Sequence, residues 1–384
     1  MERKHIVALL LLLCLVVRLA YIILAGDEIF PPDGLLYDEL ARNVLEGKGF
    51  TYQGFKAFRA PGYPLFLALL YVFSSSLFFV RVAGVLMSTF TAYLVYLTAK
   101  EAFHNERVSQ LSLLFFSLYP YSIYYTAAVS TETLYSLLFM ALMYQLLRMS
   151  DTREYMLAGV IAAVAILVKP YTLAFMVPAW LWTLMSKKKP LKCIAFSAVA
   201  MILILSPWIV RNYLIFDKLV FISTNGGVNL WMGNSPSSEE AVVGEYLHEH
   251  RRGIANMSEP ELDSYYRAKA ISFIRENPRF TLERCVSKLF RTWRVYPEGS
   301  MTEKLVSLLT FGLSMPFAAY AALSSRKEWK HVLLFVIAFA TIPLSGVLFV
   351  PLVRYRNPID PLVLILAAQG LWLLLAEINL VQKE

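Results

Sequence analysis

Pro61-Gly-Tyr-Pro-Leu-Phe-Leu-Ala-Leu-Leu-Tyr-Val-Phe-Ser-Ser-Ser76 is an apolar stretch of 16 residues with Pro61 and Pro64 at its start and three serines at its end. A helix rises 1.5 Å per residue, so such a stretch reaches about 24 Å, short of the ~30 Å hydrocarbon core of a bilayer. It belongs to one of eleven apolar segments, at 5–25, 62–80, 81–100, 108–128, 131–149, 155–168, 171–186, 192–210, 303–323, 331–350 and 360–380. If all eleven cross from an inside N-terminus, Lys187-Lys188-Lys189 and Arg326-Lys327 fall outside. That violates the tendency of basic loops to remain cytoplasmic. If Pro61–Ser76 lies in the interface instead, Lys100–Arg107, Arg148–Arg153, Ser186–Lys192, Ser324–Lys330 and Lys383 all become cytoplasmic. The sequence therefore predicts an all-α polytopic membrane protein of about ten spans, with both termini inside.

Composition agrees. Of 384 residues 58% are hydrophobic, more than a soluble chain of this length can cover. The formal net charge of +8 comes from short clusters between apolar blocks, not from a basic tract interleaved with aromatics, so nucleic acid is not the partner. Cys14, Cys193 and Cys285 share no close spacing, which excludes a disulfide framework and a cysteine metal site. The first apolar run, Ile6 to Ala25, carries Arg18 and ends without a convincing cleavage site, so it reads as an uncleaved span.

Three regions follow. Residues 1–211 form an N-terminal transmembrane module with a first outer loop at 26–76; 212–300 form a small outer cap; 301–384 return to the membrane. In the cap, Ser258-Glu-Pro-Glu261 reads as a capping box that opens a helix through Ile274. From Phe280 to Trp293, Leu282, Val286, Leu289 and Trp293 stand opposite Arg284, Lys288 and Arg291, the pattern of a helix lying on a membrane surface.

With this topology Asp33, Tyr37, Asp38, Glu39, Arg59, Glu132, Lys169, Arg211, Asn212, Arg354 and Arg356 gather near the outer boundary. Charges at membrane depth are costly, so they pair or line a functional cavity. Cations are in excess here, which suits an anionic ligand such as a phosphate on a lipid. Arg18 reads as structural, snorkelling or paired within the bundle. His248-Glu-His250 lacks a third nearby ligand and reads as solvated surface, not a zinc site. Asn256-Met-Ser258 fits a glycosylation sequon on the outer side.

The order of motifs resembles the bacterial and archaeal relatives of the protein O-mannosyltransferases and of the lipid A aminoarabinose transferases. The motifs are Asp33-Gly-Leu-Leu-Tyr37, Ala41-Arg-Asn-Val-Leu-Glu-Gly-Lys-Gly-Phe50, Arg59-Ala-Pro-Gly-Tyr-Pro64, Ser130-Thr-Glu-Thr-Leu134 and Lys169-Pro170. They continue through Pro207-Trp-Ile-Val-Arg-Asn-Tyr213, Ser223-Thr-Asn-Gly-Gly-Val-Asn-Leu-Trp-Met-Gly-Asn234 and Arg354-Tyr-Arg356, spanning some 320 residues. The resemblance implies a GT-C fold, with juxtamembrane helices in the first outer loop. It also implies an inverting glycosyltransferase that takes sugar from a polyprenyl-phosphate donor, at the outer face of the plasma membrane, for an unidentified acceptor hydroxyl or amine.

By this resemblance Asp33 is the catalytic carboxylate, Glu132 a second acidic residue, and Arg59 a position associated with the lipid phosphate. Lys169, Arg211, Arg354 and Arg356 are expected to help hold that phosphate, and Tyr37, Tyr63, Asn225 and Asn229 to line the sugar or acceptor side. No cofactor is required; a divalent metal between Asp33 and Glu132 is the less favoured arrangement. One departure stands out: the O-mannosyltransferases carry adjacent Asp-Glu where this chain has Asp33-Gly34, and Asp38-Glu39 on the next turn is the nearest substitute. The competing class is a lipid or solute transporter, which predicts a mid-bilayer site and internal symmetry.

Overall fold

An apolar helix satisfies its backbone polar groups within itself, so long runs of Leu, Val, Ile and Ala fold into helices wherever lipid is the solvent. The computed structural model describes residues 3–31, 33–237, 257–295, 300–350 and 353–378, and among them the regular elements are helices. His248-Glu-His250, Asn256 and Lys383 lie outside the described residues. In chain order the helices begin with α1 (Arg3–Leu24), α2 (Asp33–Leu45), α3 (Gly62–Tyr71), α4 (Leu77–Phe103), α5 (Glu106–Ser117) and α6 (Pro120–Ala127). Next come α7 (Thr131–Arg148), α8 (Thr152–Val168), α9 (Thr172–Ser186) and α10 (Pro190–Phe216). The cap contributes α11 (Gly226–Asn234), α12 (Glu259–Glu276) and α13 (Pro278–Thr292). The chain then forms α14 (Met301–Ser307), a π-helical turn (Leu308–Gly312), α15 (Leu313–Ser324), α16 (Trp329–Thr341), α17 (Leu344–Leu348) and α18 (Asp360–Glu377).

Among the described residues, six helical stretches are long and apolar enough to cross a membrane: Lys4–Leu24, Leu77–Phe103, Pro190–Phe216, Met301–Ser324, Trp329–Leu348 and Asp360–Glu377. The protein is thus a multi-pass membrane protein, with α7, α8 and α9 as shorter members of the same bundle. The segment that decides the topology is α3, ten residues and therefore about 15 Å long, followed by a break at Phe73–Ser76. It does not run on into the next span, which starts afresh at Leu77 and is longer than expected, 27 residues.

The expected span 108–128 is not one helix. It ends at Ser117 and restarts at Pro120, because proline cannot donate to the preceding turn and sits readily at a helix start. The carbonyls stranded at the end of α5 are met by Arg18 on α1, whose guanidinium donates to Phe116 O (3.2 Å) and Ser117 O (2.9 Å).

The cap follows its local signals. Ser258 and Glu261 form the capping box, and α12 closes at Asn277, just before Pro278, as the Asn277-Pro278 pair in the sequence predicts. Its small core joins Val228 and Trp231 of α11 to Leu262 and Tyr266 of α12, and it includes Phe55 from the first outer loop. On α13 two of the three cations turn inward, while Arg291 is exposed: Lys288 is buried, donating to Asn234 Oδ1 and Val347 O, and Arg284 donates to Gly233 O. Leu282, Val286 and Leu289 face outward, whereas Trp293 packs against Phe339.

Candidate active site

Asp33 opens α2, where a carboxylate is favoured by the unpaired N–H groups and partial positive charge of a helix start. Behind it the packing is tight: a Cβ on Gly34 would stand 2.9 Å from Val129 O and 2.7 Å from the Ile29 side chain. A glutamate at position 34 has no room, which is the physical reason for the Asp-Gly departure. Nor does Asp38 replace it, since its carboxylate accepts from Tyr71 Oη (2.6 Å) and Arg42 Nε (2.8 Å), and Glu39 is exposed. The second carboxylate in reach comes from elsewhere: Glu132, buried in the first turn of α7.

Arg354 lies between the two acids. Its Nη2 donates to Asp33 Oδ2 at 2.7 Å, and its Nε lies 3.9 Å from Glu132 Oε1. Lys169, in the short link between α8 and α9, donates to Glu132 Oε1 at 3.3 Å and lies 5.4 Å from the centre of the Tyr355 ring. Arg59 Nη2 stands 3.5 Å from Asp33 Oδ1. A close approach makes this convergence available. A Cβ on Gly62 would come within 2.8 Å of Leu167 O, so only glycine lets α3 meet the end of α8, and that contact puts Arg59 and Lys169 on one cavity.

Three cations thus face two carboxylates. Burial opposes ionisation of Asp33, but Arg59 and then Arg354 outweigh it and hold its pKa below the ordinary carboxylate value. Burial likewise opposes the charge on Arg354, yet Glu132 and Asp33 hold its pKa above the usual guanidinium value. For Lys169 burial wins over Glu132 and the ammonium pKa is lowered. Two guanidinium nitrogens are left over: Arg59 Nε and Arg354 Nε are buried without a hydrogen-bond partner. Buried donors normally have one, so these two N–H groups are the unsatisfied donors of the cluster.

The cluster opens on a cavity of about 310 Å³, within the range of small-ligand sites. Tyr37, Arg59 and Lys169 line one side, Asn225 and Asn229 the cap side, and Tyr355 stands between. Two aromatic neighbours were not singled out from the sequence: Tyr355, enclosed in Arg354-Tyr-Arg356, and Tyr171, just after Lys169-Pro170, whose buried hydroxyl has no partner. Their signal was adjacency to basic motifs.

Three expected site residues are placed elsewhere. Arg356 is fully buried and pairs with Asp360 at 2.9 Å over the Phe311 ring, so it braces the bundle and does not reach the cavity. Arg211 stacks on Trp208 and donates to Lys56 O and Phe50 O, bracing the first outer loop. Tyr63 is buried edge-on against Tyr37, one layer behind the cavity wall. Asp33 and Glu132 share Arg354, and among the described residues no three His, Cys, Asp or Glu side chains group as a metal site would require.

A family model described as dolichyl-phosphate-mannose-protein mannosyltransferase matches residues 59–210, which includes Arg59, Glu132 and Lys169. No curated protein matches the chain. Among solved structures, the archaeal oligosaccharyltransferase AglB from Archaeoglobus fulgidus, in complex with an inhibitory peptide and a dolichol-phosphate, is similar at TM-score 0.61 and 12% identity, over 99% of this chain and 52% of that one. The same organism's oligosaccharyltransferase in complex with Zn and sulfate gives TM-score 0.59 at 13% identity, over 97% and 50%. ArnT from Cupriavidus metallidurans bound to undecaprenyl phosphate gives 0.47 at 15% identity, over 95% and 76%. The chain therefore spans about half the length of the oligosaccharyltransferases it matches. Its fold is that of the GT-C membrane enzymes, and its segment 59–210 is similar to the dolichyl-phosphate-mannose-protein mannosyltransferases.

Proposed function

We propose that this protein is a membrane glycosyltransferase that moves a sugar from a polyprenyl-phosphate donor to an acceptor hydroxyl or amine, on the side of the membrane opposite its basic loops. The observation that carries the reading is the convergence of Arg59, Arg354 and Lys169 on Asp33 and Glu132, with Arg59 and Lys169 lining the adjoining cavity, so that cations exceed carboxylates beside it. Such a site suits the single negative charge of a sugar phosphodiester. Orientation is supported by charge: α7 starts at the site and ends at Arg148, and α8 runs back from Arg153 to Lys169, so the basic turn between them lies at the far end.

In the reaction, the acceptor oxygen bonds to the anomeric carbon as the carbon–oxygen bond to phosphate breaks, with inversion. Asp33 takes the acceptor proton, and the departing polyprenyl phosphate keeps the electron pair. Its charge is met by Arg59, Arg354 and Lys169, cations fixed before the reaction begins. A carboxylate clamped by two arginines is a weak base. When a phosphate draws those guanidinium groups toward itself, Asp33 becomes more basic, so donor binding prepares the base. Glu132 remains with Lys169 and keeps that ammonium in place.

The test is a donor assay in purified membranes, with a panel of polyprenyl-phosphate sugars and Asp33→Asn as the control. Removing a general base costs about 10²–10⁴-fold in kcat, while folding should be unaffected. Near-normal turnover by Asp33→Asn would dismiss the base assignment. Lipid or solute translocation that survives the substitution, with no sugar transfer, would favour the transporter reading instead.

A further inference from the structure

Glu259, in the first turn of α12, is not needed to cap its own helix, because Ser258 and Glu261 already form the capping box there. Its carboxylate is buried and turned the other way, onto two distant chain segments. Oε2 accepts from Lys56 N–H at 2.7 Å, and Oε1 accepts from Ala57 N–H at 3.1 Å and from the Thr224 hydroxyl. The two segments are also tied to each other, Thr224 N–H donating to Ala57 O at 2.9 Å. One helical turn on, Asp263 accepts from Gly227 N–H. Phe55 beside the first segment is locked into the cap core.

Each segment leads directly into the cavity. Two residues after Ala57 comes Arg59; one residue after Thr224 comes Asn225, followed by Gly226 and Asn229 of the same wall. A buried carboxylate is costly unless its oxygens are hydrogen-bonded, and here they are bonded to the backbone that sets the height of Arg59. Misplacing a group in such a site by about 1 Å costs on the order of 10²-fold in rate. We propose that Glu259 is a positioning residue: through its first turn the cap holds Arg59 and the Asn225–Asn229 wall in register with Asp33. The inference rests on the glycosyl-transfer reading of the cavity. It makes the cap part of the reacting unit, not a cover added to it.

The test is Glu259→Gln and Glu259→Ala, each made in the wild-type and in the Arg59→Gln background, in full-length protein in nanodiscs. Two readouts are taken, undecaprenyl phosphate binding and donor turnover. Glutamine keeps one acceptor oxygen but sets an amide against a backbone N–H. Glu259→Gln should therefore weaken undecaprenyl phosphate binding and lower kcat/KM by about tenfold, with a small fall in melting midpoint that is the same in both backgrounds, and Glu259→Ala should lower both further. In the Arg59→Gln background the same change should alter binding by less than about twofold, because no guanidinium is left to misplace. Equal losses in both backgrounds, or binding by Glu259→Gln equal to wild type, would overturn the proposal. Wild-type binding without turnover of any donor sinks the transferase reading instead, and it leaves the binding comparison to decide whether Glu259 acts through Arg59.

Discussion

Arg18 and Arg354 are both arginines out of bulk water near apolar helices, yet their surroundings differ in kind. Arg18 is fully buried and every N–H it owns has an oxygen: Ser88 and Ser122 hydroxyls, and the carbonyls of Cys14, Phe116 and Ser117. No carboxylate touches it among the described residues. Arg354 has two carboxylates within ion-pair reach, and its buried Nε, 3.9 Å from Glu132, makes no hydrogen bond. A guanidinium has five donors in a fixed fork. A fork filled by neutral oxygens of the fold marks Arg18 as scaffold; a fork shared between two carboxylates, next to cavity-lining Arg59 and Lys169, can exchange them for an anionic ligand. Substitution should separate the two arginines cleanly.

The largest separation is expected at Arg354. Arg354→Gln removes a preorganised charge from the phosphate side, so donor turnover should fall by about 10²–10³-fold, while the melting midpoint changes little. A comparable loss of stability, with normal specific activity in the folded fraction, would place Arg354 in the scaffold with Arg18.

Arg18→Leu should show the opposite pattern. Two competing terms decide its size. The substitution takes from the Ser117 carbonyl and the Ser88 hydroxyl the donors that Arg18 supplies, while Phe116 O and Ser122 keep other partners, but it also removes a charge whose desolvation the fold has to sustain. Losing buried partners costs about 1–3 kcal/mol each, and the saved desolvation offsets part of this. A net destabilisation on the order of 2 kcal/mol is expected, with kcat per folded molecule unchanged, read by thermal unfolding in detergent alongside the donor assay. A neutral or stabilising result would mean that the buried charge outweighs its own hydrogen bonds. The α5–α6 break would then have to be attributed to Pro120 alone.

The same contrast explains what was legible in the sequence. The membrane class, the short helix within 61–76 and the capping box rest on local pattern, and the short helix and the capping box formed where the pattern put them. Arg59, Glu132, Lys169 and Arg354 came together because each stands near the end of a helix or in a link between helices, where few directions are open. Arg356 could not be told from Arg354 by sequence. Two residues apart on a single tight turn, one reaches Asp33 and the other Asp360, and only the position of α18 decides which. Arg211 depends on carbonyls of the first outer loop that arrive from some 155 residues away. The α5–α6 break likewise depends on donors carried by α1. Partners distant in sequence leave no periodicity to read.

The smallest effect is expected in the pH dependence, and it bears most directly on whether the arginines move with the donor. The profile of kcat/KM reports groups of the free enzyme, that of kcat the groups of the complex. In the free site Asp33 is held below its ordinary pKa by Arg59 and Arg354. A depressed carboxylate stays ionised as pH falls and loses its charge only below the ordinary value near 3.9. The acid limb of kcat/KM attributable to Asp33 should therefore lie below about pH 4, leaving the profile flat from neutrality down to that point. Once a phosphate occupies Arg59 and Arg354, the clamp on Asp33 loosens and a second negative charge stands nearby. Both changes raise its pKa, so the acid limb of kcat should lie at higher pH than that of kcat/KM. In Arg59→Gln the limb of kcat/KM should move up toward that of kcat, because a main source of the depression is gone. Coincident limbs in the wild-type enzyme would mean that the guanidinium groups stay on Asp33 throughout turnover. In that case its role would be to orient Arg354, and the base would have to be sought on the cap side of the cavity.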